Sequence, residues 1–141
     1  MLSRKDIEAI IPHRQPFLLI DEIIELIPTK RAVGTKLVNA DDFWVPGHFP
    51  GMPVMPGVLI IEALAQVGAV CLLTHDSFKG KLAYFAGIDN AKFRRKVIPG
   101  DVLRLEIDII KLRSYYGIGK FKAFVGDEVA AEATCSFAIT S

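Results

Sequence analysis

The sequence predicts an α+β fold, a curled antiparallel β-sheet wrapped around one long central apolar helix. Residues 58–73 are almost wholly apolar, and later segments alternate apolar and polar residues with a period of two. Tight turn signals separate these later segments. Because consecutive strands joined by tight turns pair antiparallel, we expect one antiparallel sheet with the long helix lying against it.

A short helix and a strand pair are predicted ahead of a long loop. Ser3 with Asp6 three residues later is a helix-start pattern, and a proline soon ends the amphipathic pattern that follows. Residues 17–27 and 31–38 are rich in large apolar and β-branched residues, so we expect strand, turn, strand. Residues 39–57 should be an ordered loop, because prolines and glycines recur too densely for a helix or a central strand. These are Pro46, Gly47, Pro50, Gly51, Pro53, Pro56 and Gly57.

Four strands are predicted after the long helix. In residues 102–110, leucines and isoleucines alternate with charged side chains, and every second residue of the last segment is apolar. Turn signals at Pro99-Gly100-Asp101 and Gly126-Asp127 separate the segments, so the last three strands should form an antiparallel meander. The predicted strands are residues 82–88, 102–110, 116–125 and 129–139.

Composition bounds the class of protein. The 141 residues fit one domain, 1–141, and 51% hydrophobic residues supply a sizeable core. A net charge of +1 lacks the global basicity of non-specific nucleic-acid binding. The charged N-terminus carries no export signal, and the apolar run is shorter than the about 20 residues that span a bilayer. We expect a cytoplasmic protein with no nucleic-acid or membrane partner.

The long helix is apolar on nearly every face, so a flat sheet cannot cover all of it. The sheet must curl around the helix to bury most of this surface. Some apolar surface should still remain uncovered, and we therefore expect a homodimer rather than a monomer.

Two side chains in and before this helix are candidates for acid–base chemistry. Glu62 lies among apolar residues, where an ionised carboxylate costs on the order of several kcal/mol unless it is paired or protonated. It therefore has either a structural partner or a chemical task. His48 lies in a proline-restricted loop, and histidine is a suitable general base near neutral pH. The alternative role of His48 is a structural hydrogen bond to a backbone carbonyl.

Three more residues of the helix could support this chemistry. The backbone N–H groups of Gly57 and Val58 lie at the helix start and could bind an oxyanion, although Gly57 could serve only the turn into the helix. Glu62 lies about 7.5 Å further along the axis, which suits two groups acting on neighbouring substrate atoms. Gln66, one turn after Glu62, either orients the carboxyl group or satisfies a buried backbone group.

Metal, nucleotide and nucleophile motifs, and the remaining histidines and cysteines, also bear on the predicted chemistry. The sequence has no metal-ligand spacing, no glycine-rich nucleotide motif and no Gly-x-Ser-x-Gly motif, so we expect an acid–base enzyme without cofactor or metal. His13 lies near two prolines and His75 follows the long helix, and both are predicted to be structural. Cys71 and Cys135 lack CxxC spacing, so we expect buried free thiols.

Several segments together resemble the 3-hydroxyacyl-[acyl-carrier-protein] dehydratases of bacterial-type fatty-acid synthesis, over nearly the whole chain. The segments are Pro-His-Arg-Gln-Pro-Phe-Leu-Leu-Ile-Asp at 12–21, Gly-His-Phe-Pro at 47–50, Met-Pro-Gly-Val-Leu-Ile at 55–60, Glu-Ala at 62–63 and Ala-Gln at 65–66. The resemblance implies the hot-dog fold, a curled antiparallel sheet around a long helix. It also implies a homodimer or a trimer of dimers.

The resemblance further implies a reaction and the residues that perform it. The substrate would be a (3R)-3-hydroxyacyl chain on the phosphopantetheine of acyl carrier protein, dehydrated to a trans-2-enoyl thioester in type II fatty-acid biosynthesis. His48 would remove the C2 proton, Glu62 would assist departure of the C3 hydroxyl, and the Gly57 amide would bind the thioester carbonyl. His48 and Glu62 would come from opposite subunits. A related dehydratase/isomerase family has aspartate at position 62 and cysteine at position 47, so Glu62 and Gly47 favour the simple dehydratase.

Two groups of residues have open roles. The basic residues Arg94, Arg95 and Lys96 either dock the carrier, which is acidic in this family, or belong to solvated strand faces. Tyr84, Phe85, Ile88 and Phe93 either line a tunnel for the acyl chain or fill the strand core.

Two other functions compete with dehydration. A hot-dog acyl thioesterase would also use a carboxylate on the helix, but it would not need His48. A non-catalytic module that binds the acyl chain or its carrier would need neither side chain, and the presence of His48, Glu62 and Gly57 argues against it.

Overall fold

The computed structural model describes residues 1–140, in which two α-helices and six strands are the main elements. Among these residues, no helix is both long and apolar enough to cross a bilayer. The elements are α1 (Arg4–Glu8), β1 (Glu22–Ile27), β2 (Arg31–Leu37), α2 (Gly57–Leu73), a 3₁₀ helix (Asp76–Phe78), β3 (Leu82–Phe93), β4 (Val102–Arg113), β5 (Tyr116–Val125) and β6 (Glu128–Thr140).

The six strands form one antiparallel sheet in the order β1-β2-β4-β5-β6-β3. Strands β4, β5 and β6 pair in succession, which confirms the predicted meander. The predicted alternation in β4 is also confirmed, because Leu103, Leu105 and Ile107 are fully buried. Helix α2 contacts all six strands, so the sheet curls around it. The predicted α+β architecture is confirmed.

Helix α2 is buried over most of its length, but part of its N-terminal half is uncovered. Gln66 and every residue from there to Leu73 is buried. Val58, Glu62 and Ala65 lie about one turn apart on one face and are less covered, with Val58 72% exposed. The sheet of one chain therefore leaves a stripe of this helix accessible.

The N-terminal helix and the two thiols are as predicted. Ser3 Oγ accepts from the Asp6 N–H, and the Asp6 carboxylate accepts from the Ser3 N–H, which is a capping box. The hydrogen bonds that the Ser3 N–H and the Ser3 hydroxyl donate to the Asp6 carboxylate lower the pKa of Asp6. Burial raises the pKa of Cys71 to about 11 and that of Cys135 to about 12, so both free thiols stay protonated at neutral pH.

The strand predicted at residues 17–27 is shorter in the structure, because β1 begins only at Glu22. The N–H groups of Phe17 and Leu18 bond to the Arg14 carbonyl in a turn. The Leu19 N–H and the Phe17 carbonyl bond to the side chain of Gln66 on α2. A distant side chain therefore takes the hydrogen bonds that a longer strand would have used.

The strand predicted at residues 82–88 is longer in the structure, because β3 continues to Phe93. Its pairing with β6 shifts register between Phe85 and Gly87 and again between Asp89 and Lys92. Asn90 has a φ of 53°, so the Asp-Asn pair that reads as a turn lies inside an irregular edge strand. This extension carries the chain from one cavity of the molecule to another.

Candidate active site

Two cavities border helix α2, and the candidate catalytic residues are divided between them. The first, which we call the His48 cavity, has a volume of about 570 Å³ and is lined by His48, Gly57, Val58 and residues 93–97 among others. The second, the Glu62 cavity, has about 550 Å³ and is lined by His13, Glu62 and mostly apolar side chains. His48 and Glu62 therefore do not share a cavity within one chain.

The helix geometry explains this division. The five-residue spacing of Gly57 and Glu62 was expected to let them act together, but it rotates the chain by about 140° around the helix axis. Gly57 consequently lines the His48 cavity, whereas Glu62 lines the other. The expectation of cooperation along one helix is wrong for a single chain.

The loop before α2 holds the imidazole of His48 in a defined state. His48 N–H donates to the Trp44 carbonyl at 3.0 Å, and Val54 N–H donates to the His48 carbonyl at 2.8 Å. The ring atom Nδ1 lies 2.6 Å from the Val54 carbonyl oxygen. Because a carbonyl oxygen only accepts, Nδ1 must carry a hydrogen and Nε2 of the neutral ring has a free lone pair. The structural hydrogen bond and a role as base are thus compatible.

The start of α2 offers backbone donors beside this imidazole. Pro56 occupies the N-cap position and makes no side-chain cap, so the N–H groups of Gly57 and Val58 lack an acceptor from the helix or its cap. Both residues line the same cavity as His48. The positive end of the helix dipole therefore faces a space next to a potential base.

Gly57 is required for space rather than for an unusual backbone conformation. A Cβ atom at this position would lie 2.7 Å from two atoms of the Phe93 ring. The residue is not among the glycines with positive φ. The glycine therefore lets an aromatic ring from the end of β3 pack against the first turn of α2.

The three basic candidates follow Phe93 and line the His48 cavity. Arg94 pairs with Glu132, with Nε and the carboxylate oxygen 2.6 Å apart, and lowers the pKa of that carboxyl group. Arg95 pairs with Asp101 at 3.5 Å and with Glu128 at 3.3 Å. The structure thus brings the basic residues to the cavity, although acidic neighbours offset two of the charges.

In the Glu62 cavity, one buried amide holds the carboxylate. Gln66 is fully buried, and its Oε1 accepts from the Leu19 N–H at 2.8 Å. Its Nε2 donates to the Phe17 carbonyl at 2.8 Å and to Glu62 Oε2 at 3.0 Å. Gln66 therefore has both of the roles considered from the sequence, because it orients the Glu62 carboxyl group and satisfies buried backbone groups. The backbone N–H fixes which end of the amide is oxygen.

The Glu62 cavity also contains a histidine for which no chemistry was predicted. His13 Nε2 lies 3.7 Å from Glu62 Oε2, and both side chains are about a quarter exposed, at 26% and 22%. The neighbouring prolines were the only signal near His13 in the sequence, and they suggested a structural role. Proximity to a residue so far along the chain has no signature in sequence spacing.

The four aromatic and apolar residues considered for a tunnel separate in the structure. Tyr84 and Phe85 line the Glu62 cavity together with Phe121 and Phe137. Phe93 lines the His48 cavity. Ile88 is 47% exposed and lines neither cavity.

The described residues contain no group of three or more histidine, cysteine, aspartate or glutamate side chains placed to hold a metal ion. The polar groups of the two cavities are the imidazoles of His48 and His13, the carboxyl group of Glu62 with the Gln66 amide that bonds to it, the basic side chains of residues 94–96 and the backbone N–H groups at the start of α2. This set can move protons and bind an oxyanion.

Two solved structures superpose on nearly the whole chain. The chain superposes with a TM-score of 0.82 on a protein of the dehydratase heterocomplex ApeI:P from Xenorhabdus doucetiae, at 17% identity, covering 96% of this chain and 91% of that one. A sigma28-regulated virulence protein from Campylobacter jejuni gives a TM-score of 0.70 at 19% identity, covering 99% and 94% of the two chains. These similarities support the hot-dog fold.

Curated relatives are much closer in sequence. The protein from Clostridium novyi (strain NT) named 3-hydroxyacyl-[acyl-carrier-protein] dehydratase FabZ is 59% identical over 98% of this chain and 97% of its own length. A protein of the same name from Desulforamulus reducens is 55% identical over 99% and 98% of the two chains. The family model for the FabA-like domain matches residues 11–134. The chain therefore belongs to the FabA-like family and groups with relatives named FabZ.

Proposed function

We propose that this protein is a hydro-lyase that converts a (3R)-3-hydroxyacyl-[acyl-carrier-protein] to the trans-2-enoyl thioester in cytoplasmic type II fatty-acid biosynthesis. The observation that carries the proposal is the complementary content of the two cavities. One holds a base beside backbone N–H donors, and the other holds a carboxyl group in an apolar chamber. Relatives at 55–59% identity carry the matching name.

The elimination assigns one step to each group. Nε2 of His48 takes the proton from C2, while the N–H groups of Gly57 and Val58 stabilise charge on the thioester oxygen. Glu62 gives a proton to the C3 hydroxyl, and water leaves as the C2–C3 double bond forms. Gln66 supports Glu62 by its hydrogen bond to Oε2. No cofactor is needed for this chemistry.

Because the two groups face different cavities in one chain, the complete site requires a second copy. Strand β3 is an edge strand, and its side chains Tyr84, Ile88 and Phe93 are 52%, 47% and 53% exposed. An open strand edge with apolar side chains is suited to pairing with another strand. We propose that β3 pairs antiparallel with β3 of a second subunit to form a homodimer, which could further assemble as a trimer of dimers.

This pairing would unite the two half-sites. Strand β3 begins at the Glu62 cavity, with Tyr84 and Phe85, and ends at the His48 cavity, with Phe93. An antiparallel pair places the start of one strand beside the end of the other. The Glu62 cavity of one subunit would then adjoin the His48 cavity of the other.

The activity is tested with the 3-hydroxybutyryl thioester of acyl carrier protein as substrate. Enoyl absorbance and released thiol are recorded together. The proposal expects enoyl product without thiol. Thiol release would instead identify a thioesterase, and carrier binding with neither product would identify a non-catalytic module.

We also propose that Arg94, Arg95 and Lys96 dock the acidic carrier beside the His48 cavity. The variant Lys96→Glu should raise the KM for the carrier-linked substrate about tenfold, through a loss of about 1.4 kcal/mol. The KM for a carrier-free N-acetylcysteamine thioester should not change. Lys79→Glu is the matched control, because Lys79 is exposed and pairs with Asp76 away from both cavities. Equal effects on both substrates would contradict docking.

A further inference from the structure

The two ring nitrogens of His13 lie in different environments. Its Nε2 faces Glu62 Oε2 across 3.7 Å in the Glu62 cavity. Its Nδ1 is buried and has no hydrogen-bond partner among residues 1–140. A buried ring nitrogen of a histidine normally has a hydrogen-bond partner, as Nδ1 of His48 has in the Val54 carbonyl. In His13 the nitrogen near a polar partner is instead the one that faces the Glu62 carboxyl group.

The buried Nδ1 determines where the proton of this ring belongs. A hydrogen on Nδ1 would leave a buried N–H without an acceptor, which is rare in proteins. A doubly protonated ring would add a charge to that unpaired N–H. The neutral ring with its hydrogen on Nε2 avoids both costs and directs an N–H toward Glu62. His13 and His48 should therefore hold opposite tautomers.

Two donors then converge on the same oxygen of Glu62. Gln66 Nε2 lies 3.0 Å from Oε2, and His13 Nε2 faces the same atom. An oxygen that accepts from two N–H groups is the one that carries negative charge best, so the proton of the acid belongs on Oε1. No hydrogen bond to Oε1 is present among the described residues.

We propose that His13 is a positioning residue that, together with Gln66, holds Glu62 Oε2 so that Oε1 carries the proton delivered to the leaving hydroxyl. This inference rests on the proposed dehydration. The Oε1–H bond breaks, the proton joins the C3 hydroxyl to form water, and the electron pair stays on the Glu62 carboxylate. The two N–H groups stabilise that carboxylate. At 3.7 Å the His13 contact is longer than a hydrogen bond, so the proposed role requires it to shorten when substrate fills the cavity.

Three variants test the role by activity. His13→Gln keeps an N–H donor at a similar reach, whereas His13→Leu fills similar space without a donor. We expect His13→Leu to lower kcat by about 10- to 100-fold with KM within about twofold of wild type, because a displaced acid loses alignment. His13→Gln should keep kcat within about threefold. His75→Leu is the control, because His75 lies outside both cavities, and its kcat should match wild type.

The outcomes separate this inference from the proposed function. An unchanged kcat in His13→Leu, or a raised KM alone, would overturn the positioning role. A loss of kcat as large in His13→Gln as in His13→Leu would also overturn it. Circular dichroism and gel filtration of each variant check folding and assembly. If wild type forms no enoyl product, the proposed function fails instead.

A second readout does not depend on catalysis or on a variant. Nitrogen-15 NMR of the ring nitrogens in the wild-type protein distinguishes a hydrogen on Nδ1 from one on Nε2. We expect His48 to carry its hydrogen on Nδ1 and His13 to carry its hydrogen on Nε2. A hydrogen on Nδ1 of His13 would overturn the inference.

Discussion

The two cavities beside α2 hold their reactive groups by different means. In the His48 cavity, the Val54 backbone carbonyl holds the imidazole, and the free N–H groups are part of the first turn of α2 itself. In the Glu62 cavity, side chains do it, through Gln66 and a facing imidazole. The first arrangement depends on a continuous stretch of loop and helix. The second depends on residues brought together from distant parts of the chain.

In the proposed dimer, each chain carries two unequal halves of one site. The half with the base is a local unit, held by backbone hydrogen bonds from His48 to the Trp44 carbonyl and from Val54 to the His48 carbonyl. The half with the acid is an apolar chamber whose polar groups depend on the tertiary fold. Substitutions in the two halves should therefore have different effects on stability and activity.

Removing either reactive group should abolish most activity while leaving the fold intact. His48→Ala and Glu62→Gln should each lower kcat by about 10²- to 10⁴-fold, because each deletes one proton transfer. Steady-state kinetics with the carrier-linked substrate gives the effect, and gel filtration checks assembly. Activity within tenfold of wild type for either variant would contradict its assigned role.

Gln66→Leu should lower both stability and activity. This double effect distinguishes the Glu62 cavity from the His48 cavity. The change leaves the Leu19 N–H and the Phe17 carbonyl without partners, at a cost of about 2–4 kcal/mol in the free energy of unfolding. Urea denaturation measures this cost. Gln15→Leu is the matched control at an exposed site and should change stability by less than about 1 kcal/mol. Equal stabilities of the two variants would refute the account of Gln66.

Gly57→Ala should lower activity by crowding the His48 cavity. The new Cβ forces the Phe93 ring to shift, and this ring lines the His48 cavity, so kcat/KM should fall about 10-fold or more. Adding Phe93→Leu should restore most of the loss. Gly47→Ala is the control, since a Cβ there meets no atom within 4 Å. Failure of the second substitution to restore activity would show that Gly57 is needed for another reason, such as close approach by the substrate.

The sequence predicted the His48 cavity better than the Glu62 cavity. The loop, the helix start and the histidine lie within a short stretch of sequence. The pattern of prolines and glycines, together with the free N–H groups that every helix start has, was therefore enough to place them together. The meander and the buried face of β4 followed from strict alternation. By contrast, the start of β1 was placed too early, because the apolar pattern of residues 17–21 gives no sign that Gln66 takes their hydrogen bonds.

The role of His13 and the division of the two cavities could not be read from spacing. His13 and Glu62 are far apart in sequence, and their proximity depends on how the N-terminal segment packs on α2. The five-residue spacing of Gly57 and Glu62 gave a plausible axial distance but concealed the rotation around the helix. The end of β3 was missed because Asp89-Asn90 has the composition of a turn.

Complementation tests directly whether His48 and Glu62 act from different subunits. Inactive His48→Ala and Glu62→Gln proteins are unfolded together, refolded as a mixture and assayed, with each variant refolded alone as the control. A mixed dimer holds one site with both groups intact, so random assortment should restore about a quarter of wild-type activity. A mixture as inactive as its components, despite gel-filtration and mass-spectrometric proof of mixed dimers, would contradict the account.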